Sequence, residues 1–104
     1  MIIVFKQDYL SDLYCNQTSD KKHRFQPEVI KKYIKVVNIL KSARRVEDLF
    51  PFNSLNYEVL SGDKAGIESV RVTDKYRLEF HSEQFEDNTV ITVCNILELS
   101  NHYQ

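Results

Sequence analysis

The chain has 104 residues, which is enough for one compact domain and too few for two of ordinary size. Hydrophobic residues make up 42% of it and charged residues 28%, a balance typical of a folded protein and not of a disordered tail. The N-terminal apolar run ends at Lys6, only four apolar residues after the methionine, which is too short for a signal peptide or a membrane span. We expect a single domain over residues 1–104 that lies in the cytoplasm and does not contact membranes.

The net charge of −1 conceals an uneven distribution. Residues 1–52 carry ten Lys and Arg against six Asp and Glu, whereas residues 53–104 carry four against nine. Attraction of the whole chain to nucleic acid is therefore weak. An RNA partner would require a local basic patch, or a larger assembly that docks the chain.

Cys15 and Cys94 are the two cysteines of the chain. They show no CxxC spacing, and no histidine or further cysteine lies close enough in sequence to complete a zinc site. The pattern favours two reduced thiols over a disulfide, and it predicts no structural metal.

The first half of the chain reads as a strand followed by two helices. The apolar pattern predicts a strand over Ile2–Phe5, a short helix over Asp8–Tyr14 and a polar loop over Cys15–Gln26. Pro27 suits the first turn of a long amphipathic helix, whose lysine face is either solvated or a contact for RNA or an acidic partner. Its apolar face comprises Ile30, Tyr33, Val37 and Leu40, and its lysine face Lys31, Lys32, Lys35 and Lys41.

The chain after Pro51 indicates β structure, because apolar runs alternate there with short polar connections. Consecutive strands with short connections form an antiparallel meander. The last predicted strand has apolar residues at consecutive positions, so its side chains on both faces are apolar. We therefore expect it at the centre of the sheet, buried on both faces. The predicted fold is α+β, with two N-terminal helices covering one face of a mainly antiparallel sheet of about five strands. The four predicted strands are Tyr57–Leu60, Ile67–Val72, Tyr76–Ser82 and Thr89–Leu99.

The stretch SVRVTDKYRLEF, Ser69–Phe80, places Arg71 and Arg77 on the opposite parity to its apolar residues. A three-residue loop pairs the two arginines across the hairpin. A two-residue loop would instead place apolar and charged residues on the same face of the sheet. Facing guanidinium groups repel each other by a few tenths of a kcal/mol, roughly, unless an anion or a carboxylate lies between them. Two explanations remain open: a surface ion pair with Glu79, or a phosphate site, since arginine binds phosphate oxygens in bidentate fashion.

The chain continues the same pattern in YEVLSGDKAGIESVRVTDKYRLEF, Tyr57–Phe80, and ends in LSNHYQ, Leu99–Gln104. Together these stretches resemble the RelE/ParE superfamily of toxins from bacterial type II toxin–antitoxin pairs, and most closely its HigB branch. The family pattern is Leu-x-Gly-Asp, a second glycine, an Arg-bearing strand, a short turn, an aromatic-Arg strand and a terminal histidine. The resemblance covers the whole chain in element order and implies a RelE-like β-α-α-β-β-β-β fold. The matching residues are Leu60, Gly62, Asp63, Gly66, Arg71, Tyr76, Arg77 and His102.

The resemblance implies a ribosome-dependent endoribonuclease that cuts mRNA during translation and is inhibited by a cognate antitoxin, usually of the helix-turn-helix type. Such cleavage needs no metal or cofactor, because the ribose 2′-OH attacks the adjacent phosphate with the help of a base, an acid and cations. By resemblance, Arg71 and Arg77 are the cations and His102 is the acid or base, since imidazole titrates near neutral pH. The predicted RNA-binding residues are Lys64, Lys75 and Tyr57.

Two positions depart from the HigB pattern. Glu58 stands where these toxins often have a histidine, and it is either a replacement base or a solvated residue. The usual terminal Asp-Tyr-His is replaced by Ser100-Asn101-His102-Tyr103, in which Tyr103 either takes a catalytic part, stacking a base or donating a proton, or none. Two alternatives therefore remain: a ParE-like toxin that poisons DNA gyrase by protein contact, and an inactive family member.

Two expectations follow for the surface of the chain. Arg77→Ala should abolish growth arrest with little loss of stability, because the arginine pair is expected on the open face of the sheet. An acidic antitoxin segment should bind either over Arg71 and Arg77 or along the lysine face of the Pro27–Lys41 helix, with an affinity that depends on salt.

Overall fold

The computed structural model describes residues 1–86 and 89–101. The α+β prediction, with two helices followed by most of a five-stranded sheet, is confirmed. Short 3-10 turns occupy the connections on either side of the second strand. In chain order the elements are β1 (Ile2–Phe5), α1 (Asp8–Cys15), α2 (Pro27–Ser42), β2 (Glu58–Val59), β3 (Glu68–Arg71), β4 (Tyr76–Glu86) and β5 (Val90–Asn101).

The strands follow the order β1-β5-β4-β3-β2. The last four form the predicted antiparallel meander, and β1 joins β5 in parallel, with Ile2 opposite Val93. The expectation that the last strand is central was wrong, because β4 occupies the centre and β5 lies between β4 and β1. One face of β5 is buried at Cys94 and Ile96, whereas the apolar residues of its other face, such as Val93, are only partly covered.

Two strands of the meander, β2 and β4, differ in length from the sequence prediction. Strand β2 shrinks to two residues, although the backbone N–H of Leu60 still donates to the carbonyl of Ile67 at 2.8 Å. Strand β4 extends to Glu86, which pairs with Val90 of β5. The backbone hydrogen bonds that pair two strands do not depend on the polarity of the side chains. The C-terminal end of β4 is mostly polar, so the sequence shows no alternation of apolar and polar residues that would predict the extension.

The helices pack on one face of the sheet and build the core with its apolar residues. Buried residues of both helices meet Val70, Leu78 and Ile96 of the sheet. Two tyrosines tie these layers together by hydrogen bonds. The hydroxyl of Tyr33 on α2 donates to the carbonyl of Leu10 at 2.7 Å, and its burial raises its pKa. The hydroxyl of Tyr9 on α1 accepts the N–H of Leu99 at 3.0 Å.

Both cysteines are free thiols, Cys15 exposed and Cys94 buried in the core. Burial raises the pKa of the Cys94 thiol to about 12, so this thiol stays protonated and unreactive at neutral pH. In the described ranges, the helices are too short or too polar to cross a membrane.

Candidate functional site

The β3–β4 hairpin has the register that its sequence predicts. Arg71 lies opposite Arg77, and the N–H groups of Val72 and Thr73 donate to the carbonyl of Tyr76. The hydroxyl of Thr73 accepts the N–H groups of Lys75 at 3.2 Å and of Tyr76 at 3.1 Å, which fixes the three-residue turn. The hairpin therefore presents the two arginines from adjacent positions of one sheet face.

Arg77 lies on the expected face of the sheet, opposite the helices, but only 8% of its side chain is exposed, so the expectation that it is freely accessible was wrong. Its Nε donates to the Ser69 hydroxyl at 2.6 Å, and its Nη2 donates to the carbonyls of Asn56 at 2.7 Å and Ser69 at 3.2 Å. Asn56 adopts a left-handed conformation, φ 45°, that ends a 3-10 turn and brings this carbonyl over the sheet. The guanidinium is therefore held rigidly from two sides.

Glu58 approaches the same guanidinium from β2. Its Oε1 lies 3.7 Å from Arg77 Nε, and its side chain is 45% exposed. The structure thus places Glu58 beside Arg77 and within reach of solvent, which leaves both of its predicted interpretations open.

Arg71 turns away from Arg77 towards the end of the hairpin. Its Nη2 forms an ion pair with Asp74, a residue of the turn, and the side chain remains 48% exposed. Because the two guanidinium groups diverge and each has its own partners, the repulsion expected from their register is relieved. The Arg77–Glu79 ion pair considered from the sequence does not form in the described residues.

Glu79 pairs instead with Lys64. The Lys64 ammonium donates to both carboxylate oxygens, at 3.0 Å and 2.9 Å, and this hydrogen-bonded pair raises the pKa of Lys64. Lys64 ends a short 3-10 turn that begins at Gly62, whose φ of +70° is a left-handed conformation that suits glycine. The Gly-Asp motif of the sequence therefore serves to bring a cation over the sheet.

Arg77, Lys64 and Glu79 line a cleft on the sheet face opposite the helices, which we call the open-face cleft. It encloses about 650 Å³ and presents Arg77 and Lys64 together with hydroxyl, amide and carboxylate groups. Asn101, the last described residue of the chain, also lines it, whereas His102 and Tyr103 lie outside the described residues. Over residues 1–86 and 89–101 there is no cluster of three or more potential metal ligands. The lining residues are Leu60, Ser61, Asp63, Lys64, Ser69, Arg77, Glu79, Ser100 and Asn101.

Arg71 and Lys75 belong to a different concavity, which we call the basic groove. It lies between α2 and the β3–β4 turn and encloses about 810 Å³. The predicted site residues are therefore divided, with Lys64 and Arg77 in the open-face cleft and Arg71 and Lys75 in the basic groove.

Tyr57, predicted to bind RNA, lines neither concavity in the structure. Its hydroxyl donates to the buried carboxylate of Glu68 at 2.7 Å, and its ring contacts Phe50 and Phe80. Desolvation and the bond to Glu68 raise the pKa of Tyr57. Glu68 also accepts the N–H and hydroxyl of Ser82, both at 2.7 Å, so this network links the residue before β2 to β3 and β4.

Comparisons with known proteins agree with the architecture. The fold is similar to that of a YoeB/ParE toxin from Agrobacterium tumefaciens, with a TM-score of 0.58 and 18% identity over 99% of this chain and 100% of that one. At this identity the likeness concerns the fold alone. Curated protein sequences gave no match. A family model for the HigB-like toxin, the RelE-like toxin of the type II toxin–antitoxin system HigB, matches residues 3–95. The chain therefore belongs to the HigB-like toxins, a RelE-like family of type II toxin–antitoxin systems in which the toxin has an antitoxin partner.

Proposed function

We propose that the chain is a ribosome-dependent endoribonuclease that cleaves mRNA during translation in the cytoplasm and is inhibited by a cognate helix-turn-helix antitoxin. Membership of the HigB-like toxins supports this proposal. The observation that carries it is the open-face cleft, in which a rigidly held guanidinium and an ammonium group lie on one polar surface. The activity then resides in a single domain.

The geometry of Arg77 suits the stabilisation of a crowded phosphate. Ser69 and Asn56 fix the guanidinium before substrate arrives, and donors that need no reorganisation stabilise developing charge most effectively. Lys64 supplies a second cation in the same cleft. In the proposed reaction the 2′-oxygen bonds to phosphorus while the 5′-oxygen leaves, so negative charge grows on the phosphate between these two groups.

We assign the proton transfers to two residues, a carboxylate and a histidine. Glu58, beside Arg77, is proposed to take the proton of the 2′-OH. His102 is proposed to protonate the leaving 5′-oxygen, and Tyr103 to contact a neighbouring base. Asn101 lines the cleft immediately before this pair in sequence, which supports the assignment.

The carboxylates next to Lys64 and Arg77 would make such an enzyme depend on the ribosome. Lys64 is paired with Glu79, and Arg77 lies near Glu58, so an entering phosphate must compete with internal anions. With a net charge of −1 the chain also lacks general attraction to RNA. A ribosome that holds both the chain and the message supplies the local concentration that the cleft alone does not.

The test maps new 5′ ends of a message in a purified translation system, with the wild-type chain, Arg77→Lys and His102→Ala. We expect cuts that require ribosomes and disappear in both variants. Cuts in naked RNA at the same rate would contradict ribosome dependence. Unchanged cuts in Arg77→Lys would remove the cleft from the reaction.

A second candidate is a toxin that acts by binding DNA gyrase, as in ParE-type relatives. The internal neutralisation of Lys64 and Arg77 favours this alternative, because a protein-binding toxin needs no free phosphate site. A supercoiling assay with purified gyrase separates the two candidates. Inhibition of gyrase without cuts in messages would support the gyrase-binding toxin. Neither cleavage nor inhibition of gyrase would indicate an inactive family member.

A further inference from the structure

We propose that the basic groove is the docking site for an acidic amphipathic segment of the antitoxin, in which carboxylates alternate with aliphatic side chains. This inference rests on the antitoxin partner in the proposed function, and it does not require the chain to be a nuclease. It joins parts of both antitoxin surfaces that the sequence leaves open, since Arg71 belongs to the first and Lys32 and Lys35 belong to the second. The groove combines two lysines of α2, Lys32 and Lys35, with the turn next to Arg71.

The charge of the groove is strongly positive and largely uncompensated. Five cationic side chains line it against one carboxylate, Asp74, and that carboxylate pairs with Arg71. Within the described part of the chain the other four cations make no ion pair. A chain with a net charge of −1 thus concentrates unpaired positive charge at one place, which suits an anionic partner. The cations are Arg24, Lys32, Lys35, Arg71 and Lys75.

The floor of the groove is aliphatic. Val29 and Val36 of α2 and Leu55 of the α2–β2 connection lie beneath the cations, with half-buried Ile39 beside them. A segment that places Leu, Ile or Val into this floor and Asp or Glu against the rim satisfies both parts at once. This is the helix-in-groove mode of recognition, in which apolar anchors supply affinity and rim charges fix the register.

An RNA strand fits the groove less well. Phosphates would contact the rim but gain nothing from an aliphatic floor, and unpaired bases are bound mainly by stacking on aromatic rings. Tyr76 is the aromatic residue of the lining, and its ring packs edge-on against Phe25 with centroids 5.3 Å apart. The observations therefore favour a protein segment over nucleic acid.

The experiment compares two double charge reversals on the same helix. Lys32→Glu with Lys35→Glu alters the groove, whereas Lys31→Glu with Lys41→Glu makes the same charge change at exposed positions outside it. Full-length chains are titrated with the antitoxin encoded beside the toxin, at low and high salt, after thermal melts confirm folding. We expect the groove variant to bind at least about tenfold more weakly and to lose most of its salt dependence. The control should stay within about threefold of wild type.

Three outcomes would overturn the proposal: equal weakening in both variants, weakening in neither, or loss of ribosome-dependent cleavage in the groove variant with unchanged antitoxin affinity. The last would make the groove an RNA surface. A compensating Glu→Lys exchange in the antitoxin segment should restore binding to the groove variant alone. If the wild-type chain cuts no message while the groove variant still loses the antitoxin, the proposed nuclease fails and the groove assignment stands.

Discussion

The open-face cleft and the basic groove are both cationic, yet they hold their cations differently. In the cleft, Arg77 is buried and fixed by Ser69 and Asn56, and Lys64 is paired with Glu79. In the groove, apart from Arg71, the cations are exposed and without ion pairs among the described residues. Cations that are held in place and paired with carboxylates suit a reaction centre, because they are preorganised and do not readily bind other anions. Free charge over an aliphatic floor suits docking, because it steers and orients a partner.

One hairpin supplies both regions. Arg71 and Arg77 have paired backbones, but their side chains enter different concavities. The separation is caused by their partners, since Asp74 draws Arg71 to the turn whereas Asn56 and Ser69 hold Arg77 over the sheet. Cleavage and antitoxin binding should therefore respond to different substitutions.

The largest expected effect separates the two arginines. Arg77→Lys should lower ribosome-dependent cleavage by about 100-fold or more, because lysine cannot donate to Ser69 and Asn56 while it faces the phosphate. It should also cost about 1–3 kcal/mol of unfolding free energy, since buried acceptors lose their donors. Arg71→Lys, the matched change in the groove, should leave cleavage within about threefold.

Cleavage rates from 5′-end mapping and urea unfolding of both variants check this prediction. Similar losses of cleavage in Arg71→Lys and Arg77→Lys would erase the distinction between the two regions. A loss confined to Arg71→Lys would transfer the reaction to the groove.

A lysine in each region provides the next comparison. Lys64→Gln should reduce cleavage by about tenfold, because it removes the second cation of the cleft. Lys75→Gln removes the same charge from the groove and should change antitoxin affinity more than cleavage. Lys75→Gln should hardly change stability, since this side chain is exposed and makes no ion pair among the described residues. Lys64→Gln should lower stability, because the buried carboxylate of Glu79 loses the ammonium group that pairs with it. A stronger effect of Lys75→Gln on cleavage would return Lys75 to its predicted RNA-binding role.

The Tyr57–Glu68 contact tests whether the network behind the cleft is purely structural. Tyr57→Phe deletes a hydroxyl that donates to a buried carboxylate, and it should cost about 1–2 kcal/mol of unfolding free energy. Cleavage per folded molecule should persist, because Tyr57 does not line the cleft. Loss of cleavage with unchanged stability would instead support RNA binding by this ring.

The smallest expected effect is the pH dependence of the cleft pair. Glu79 raises the pKa of Lys64, so the pair stabilises the fold fully below the ordinary lysine pKa and less as pH rises through the folded value. In Glu79→Gln the pKa of Lys64 should fall back towards the ordinary range of a lysine. NMR titration of the Lys64 side chain measures this directly. An unchanged pKa in the variant would show that the pair does not persist in solution.

Most of the fold could be predicted from the sequence, because apolar residues recur at strand spacing in the sheet and at helical spacing in the helices. The register of Arg71 and Arg77 followed from loop length and parity alone, and the structure confirms it. The burial of Arg77 did not follow, because it depends on Asn56, which lies in an irregular connection without periodicity. The Lys64–Glu79 pair joins residues 15 positions apart through a 3-10 turn, and no local pattern in the sequence specifies that contact.

The most direct test of this account is a structure of the chain on a translating ribosome whose message carries 2′-O-methyl groups that block the attack. We predict that the scissile phosphate lies within about 4 Å of the Arg77 guanidinium or the Lys64 ammonium, in the open-face cleft. The basic groove should then be free of the cleaved strand. A scissile phosphate bound in the groove between Lys32, Lys35 and Lys75 would contradict the assignment of both regions.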